Sequence, residues 1–134
     1  MSARGGGTAA AVLAAFVLAG CGLNVQSADL FVLTRSGQGA QLTELVSDGG
    51  TIRCNGRAAR ALPDPLLLQA RQLASDLDKD AKAKLHIPTG PATVYTFTMK
   101  LQNGTISFPD TAGAQHPELA RAEQFALQAQ GACG

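Results

Sequence analysis

The chain has 134 residues, with eleven Lys and Arg, ten Asp and Glu, no Trp and one Tyr. That length suits one small domain. The balanced charge and scarce aromatic residues exclude the basic surface and stacking platforms of a nucleic-acid binder, and no acidic excess points to a charged substrate.

The first element in chain order is an export signal. Residues 1–7 carry one positive charge, Arg4, and residues 8–20 read TAAAVLAAFVLAG, apolar and uncharged. This is the basic region and apolar core of a secretory signal. It falls short of the roughly 20 apolar residues that span a bilayer. It ends in Leu18-Ala19-Gly20-Cys21, which resembles the lipobox of bacterial lipoproteins. The resemblance implies a diacylglyceryl thioether on Cys21, cleavage just before it, and acyl chains such as palmitate in the cell membrane at its outer face. Two such chains hold a protein stably, each buried CH₂ contributing about 0.8 kcal/mol. The expected division is a signal peptide over 1–20, a lipidated tether over 21–28 and one α+β domain over 29–134. Without Arg4, basic and acidic side chains balance at ten each.

With Cys21 taken by lipid, Cys54 and Cys133 remain. Outside the cytoplasm an even pair of cysteines reads as a disulfide. Such a bridge closes about 80 residues, worth roughly 4.5 kcal/mol in the chain-entropy account. Two free thiols or a metal pair are the alternatives, although two cysteines do not supply the four ligands of a structural zinc site.

Residues 29–36, DLFVLTRS, are apolar, with β-branched and aromatic members, and predict a strand. A turn at 37–39 leads to a second strand over 41–47. Asp48-Gly49-Gly50 is a turn signal, and 51–55 forms a third strand with Ile52 and Cys54 on one face. Their short connections make an antiparallel meander. Residues 56–63 read as a loop. Asp64 then caps a helix and Pro65 occupies its first position. Apolar residues at 66, 70, 73, 74, 77, 81 and 85 describe one amphipathic stripe. Pro88, Gly90 and Pro91 end it. Residues 93–101 alternate, with Tyr95, Phe97, Met99 and Leu101 on one face. Asn103-Gly104 predicts a two-residue hairpin turn, which sets Gln102 against Thr105, Leu101 against Ile106 and Met99 against Phe108. Pro117 starts a last helix. The expected fold is α+β: a five-stranded antiparallel sheet, β-β-β-α-β-β-α, with two helices on one face.

Asp76-Leu77-Asp78-Lys79-Asp80 has the opening of a calcium loop, but Ala81 and Ile87 stand where such loops place Gly and Glu. A solvated helix face accounts for these charges. His86 and His116 show no metal-ligand spacing. No G-x-S-x-G, P-loop or G-x-G-x-x-G occurs. No catalytic residue, cofactor or metal is therefore assigned. Arg53, Arg57 and Arg60 offer a receptor for carboxylate or phosphate, with plain solvation as the alternative.

The composition, rich in Ala, Leu and Gly, resembles that of small lipoproteins of actinobacteria. A second resemblance is to the Streptomyces subtilisin inhibitor family, across roughly residues 30–110. It is carried by Leu33-Thr34, by Thr51-Ile52-Arg53-Cys54, by the helix start Leu62-Pro63-Asp64-Pro65 and by the hairpin over 94–108. It implies a subtilisin-inhibitor-like fold and an inhibitory loop at Ile87, Pro88, Thr89, Gly90 and Pro91. In that family the first cysteine pairs within the helix and a second disulfide braces the loop; this chain has neither partner. The expected function is a non-enzymatic envelope lipoprotein that binds an envelope partner or ligand. A tethered serine-proteinase inhibitor is the second reading, and a small metal carrier or enzyme the third.

Overall fold

The structure is a computed structural model and describes residues 29–134. The expected signal peptide over 1–20 and lipidated tether over 21–28, with Cys21, lie outside the described residues. The described chain is α+β, an antiparallel sheet with three α-helices. Its strands are β1 (Asp29–Gly37), β2 (Ala40–Ser47), β3 (Thr51–Cys54), β4 (Arg60–Ala61), β5 (Thr96–Leu101) and β6 (Gly104–Pro109). Its helices are α1 (Asp64–Asp76), α2 (Asp78–Lys82) and α3 (Pro117–Gln130). The sheet order is β4-β3-β2-β1-β5-β6.

The sheet therefore has six strands where the sequence predicts five. The extra strand, β4, comes from the segment read as a loop. Asn55 and Gly56 take positive φ, 52° and 73°, and the Arg57 N–H donates to the Cys54 carbonyl at 3.1 Å. That turn reverses the chain. Leu62 is buried at the end of the returning segment, and its N–H donates to the Gly50 carbonyl at 2.9 Å. Burial of one leucine thus draws two exposed residues onto the edge of β3.

Alternation decides the covered face. Phe31 and Leu33 of β1, Val46 of β2, Ile52 and Cys54 of β3, Phe97, Met99 and Leu101 of β5, and Ile106 and Phe108 of β6 are all buried. They meet Ala70 and Leu73 from α1, Leu77 from the joint that follows it, Ala81 from α2, and Leu119, Ala122, Phe125, Ala126 and Ala129 from α3. Fully burying such a large apolar side chain contributes about 1.5–3 kcal/mol. Phe31 meets Phe125 edge-on at 5.5 Å. Among the described residues no helix is long and apolar enough to cross a membrane.

Three local expectations are corrected. Asp64 is the first residue of α1 rather than its cap, and no side-chain hydrogen bond caps that end. The predicted single helix is two, α1 and α2, joined at Leu77. The stripe continues across the joint because the Leu77 N–H still reaches the Leu73 carbonyl, and Ala81 reaches Leu77, both at 2.9 Å.

The third correction is the hairpin register. Leu101 pairs with Gly104, Met99 with Ile106 and Phe97 with Phe108. The turn residues are Gln102 and Asn103, two places from the predicted register. A slip of two preserves every face, so alternation alone does not choose between the registers. Packing chooses. A Cβ on Gly104 would overlap the Ala81 carbonyl, and the Asn103 amide donates to Asp78 at 2.7 Å. Both residues serve the contact with α2.

Candidate ligand-binding groove

Beyond Leu33, the covered face of β1 continues to Arg35. Its neighbours across the ladders are Leu42 of β2 and Phe97 of β5. A charged side chain thus takes an apolar position at the end of the core. Gly37, two residues on, has no side chain to meet Tyr95: a Cβ there would stand 2.7 Å from the Tyr95 ring. The ring therefore settles against the end of β1. The Arg35 guanidinium lies over it, 5.1 Å from its centre, in a cation–π contact. The guanidinium also donates to Gln130 Oε1, the last side chain of α3, at 3.3 Å.

The opposite wall is built by the Asn55-Gly56 turn. Asn55 Oδ1 accepts the Thr43 N–H at 2.8 Å and the Asn55 N–H donates to the Thr43 carbonyl at 2.8 Å. That pairing ties the turn to the exposed end of β2 and sets Arg57 just past it. The Cys54–Cys133 disulfide, with Cα atoms 5.7 Å apart, lies within the bridging range and joins this wall to the chain after α3. Arg35, Arg57, Tyr95, Gln130 and the disulfide line a groove of about 360 Å³, within the size range of small-ligand sites.

Its charged side chains, Arg35 and Arg57, are of one sign, and Gly134, the last residue, also lines it. All ten carboxylate side chains lie at or after Asp29. Asp48 pairs with Arg71, Asp78 with Lys82, Asp76 with Arg121 and Glu118 with His116. Among the described residues no carboxylate lies within 4.0 Å of Arg35 or Arg57. The acid nearest in register, Glu44, is 1 % exposed. It pairs with Leu33 and Cys54 across its two ladders, diagonal to Arg35. Its Oε2 has no hydrogen-bond partner. Burial pushes its pKa up to about 8, against the pull of the Arg35 guanidinium. At neutral pH the core holds a neutral acid, and the groove keeps its positive charge.

The expected site residues are spread out. Cys54 and Cys133 come together in the bridge. Arg57 reaches the groove; Arg53, on β3, and Arg60, on β4, are exposed outside it. Pro88, Thr89, Gly90 and Pro91 are exposed, and Ile87 is half-buried. This loop is held at both ends. The Ile87 N–H donates to the Ser107 carbonyl at 2.9 Å, and Asp110 accepts the Val94 and Tyr95 N–H groups at 3.1–3.3 Å. His86 forms a single bridge with Ser107, while His116 stands beside Glu118 at 3.7 Å. Among the described residues no group of three or more His, Cys, Asp and Glu side chains is placed to hold a metal.

A smaller hollow of about 190 Å³ lies between α1 and α3. Its one charged side chain, Arg121, is already paired with Asp76 at 3.1 Å.

Sequence reasoning missed Arg35, Glu44 and Tyr95 as site residues. The signal for two of them was present. Arg35 follows Phe31 and Leu33 at strand spacing, and Glu44 falls between Leu42 and Val46, so both charges stand at core-facing positions. The chain matches no family model, no curated protein and no solved structure.

Proposed function

We propose that this chain is a cell-envelope lipoprotein, held at the outer face of the membrane through lipid on Cys21, that binds a partner or ligand without catalysing a reaction. The observation that carries the binding role is the groove: a concave site lined by two arginines, whose central Arg35 is held by Tyr95 and Gln130 and pairs with no acidic side chain among the described residues. Preorganised donors in a concavity are what binding sites use to fix orientation. The anchor follows from the lipobox-like Leu18-Ala19-Gly20-Cys21.

Two measurements test it. Metabolic labelling with palmitate should mark the full chain and fail in Cys21→Ser. A photo-crosslinker at Gln38, on the groove rim, should capture an envelope component that Arg35→Gln no longer captures. Robust hydrolase turnover, abolished by one polar substitution, would replace this reading with an enzyme.

The loop supports a second reading, a tethered serine-proteinase-inhibitor-like module on a subtilisin-inhibitor-like fold. Its favouring observation is an exposed Pro88-Thr89-Gly90-Pro91 segment fastened at Ser107 and Asp110. Standard-mechanism inhibition needs such a preorganised loop.

A further inference from the structure

We propose that the groove is an oxyanion site, in which Arg35 and Arg57 receive the carboxylate or phosphate of a small polar ligand. This rests on the reading of the groove as the binding site and names the chemistry it takes. A guanidinium carries five N–H donors in a rigid fork that matches a carboxylate or phosphate. Gln130 is the one acceptor that meets Arg35 among the described residues. The other donors are open to a ligand. Tyr95 and Gln130 hold the guanidinium in place, so less side-chain freedom is lost when the anion binds. The amides of Gln38, Gln41 and Asn55 share the groove and suit hydroxyl or amide groups on the ligand's body.

The missing counter-ion explains Glu44. An ionised carboxylate at this position would neutralise Arg35 from below and compete with any ligand. Burial keeps it protonated up to about pH 8. Arg35 is the charge that acts on it. Its cross-strand neighbour Cys54 is bridged, and α3, which packs against β2, buries Leu119, Ala122, Phe125, Ala126 and Ala129, none of which titrates. Ligand affinity therefore falls as pH rises through about 8, when Glu44 becomes the internal anion.

The chain supplies its own reporter, because Tyr95 is its one tyrosine and tryptophan is absent. The full chain is extracted in a non-ionic detergent with the bridge intact. Tyr95 fluorescence is followed while succinate, inorganic phosphate or the neutral dimethyl ester of succinate is added. A saturable change with succinate or phosphate, and none with the diester, is expected. The tighter of the two anions identifies the carboxylate or the phosphate source. Arg35→Gln and the exposed Arg57→Gln should each weaken binding roughly tenfold, while Arg71→Gln, paired elsewhere with Asp48, should not. Glu44→Gln should bind at about pH 7 and lose the fall toward about pH 9. No saturable response to either anion in folded protein, or binding by both groove variants as tight as the parent's, overturns the proposal. If the anions fail while capture at Gln38 still depends on Arg35, the oxyanion assignment alone falls. If that dependence fails as well, the binding reading falls with it.

Discussion

Glu44 and Cys54 face each other across the β2–β3 ladder, both buried on the covered side of the sheet. An ionisable carboxyl thus lies beside the disulfide with one oxygen unpartnered. Its pKa is raised by burial, so the unfolded chain releases this proton at lower pH than the folded chain does. The sign follows: stability falls as pH rises from about 4.5 to about 8, then levels. Glu123, raised to about 7 by burial and by Asp110, acts in the same direction. Replacing Glu44 with Gln should remove most of the fall, on the order of 3–5 kcal/mol. Urea unfolding of both proteins across this pH range is the check, and an unchanged slope in the variant would refute the burial of an acid here.

The bridge closes a separation of 79 residues. Replacing Cys54 and Cys133 together with Ser should cost roughly 4.5 kcal/mol in the chain-entropy account. Denaturant midpoints with and without reductant provide the same comparison. A loss below about 1 kcal/mol would mean that the reduced chain keeps its ends together by other contacts.

Lys84 adopts φ +54° where α2 ends. The Leu85 N–H reaches the Asp80 carbonyl and the Lys84 N–H reaches the Ala81 carbonyl, both at 3.0 Å. This is a Schellman closure, whose left-handed position favours glycine. The strain of about 1–2 kcal/mol is partly offset by glycine's larger entropy loss, so Lys84→Gly should gain about 0.5–1 kcal/mol. Lys84→Ala should gain nothing. Thermal melts of the two variants separate the backbone effect from loss of the charge.

Gly104→Ala places a Cβ against the Ala81 carbonyl and should cost roughly 2–3 kcal/mol, or push the hairpin off α2. Gly131→Ala is the contrast. Nothing lies within 4 Å of its Cβ and its φ is −62°, so it should be neutral or mildly stabilising.

The loop reading has its own assay. Titrating the chain against subtilisin and trypsin should show stoichiometric inhibition that changes with Thr89→Gly and not with Lys82→Ala. Inhibition by neither variant nor parent, in folded and bridged protein, leaves the groove as the functional surface.

Local pattern alone determined the strand alternation, the meander over β1–β3, the apolar stripe through Ala81, the start of α3 and the pairing of the last two cysteines. Each depends on periodicity, turn residues or parity, which act over a few neighbours or by simple counting. Tertiary structure decided the rest. The β5–β6 register follows from Gly104 and Asn103 meeting α2, because a two-residue slip leaves the alternation intact. β4 exists because Leu62 has a place to bury. Arg35 becomes a groove-lining charge only because Tyr95, Gln130 and the Asn55-Gly56 turn converge on it from distant parts of the chain. Glu44 stays neutral only because the sheet and α3 close over it, since desolvation is a property of the packed core rather than of any short stretch of sequence.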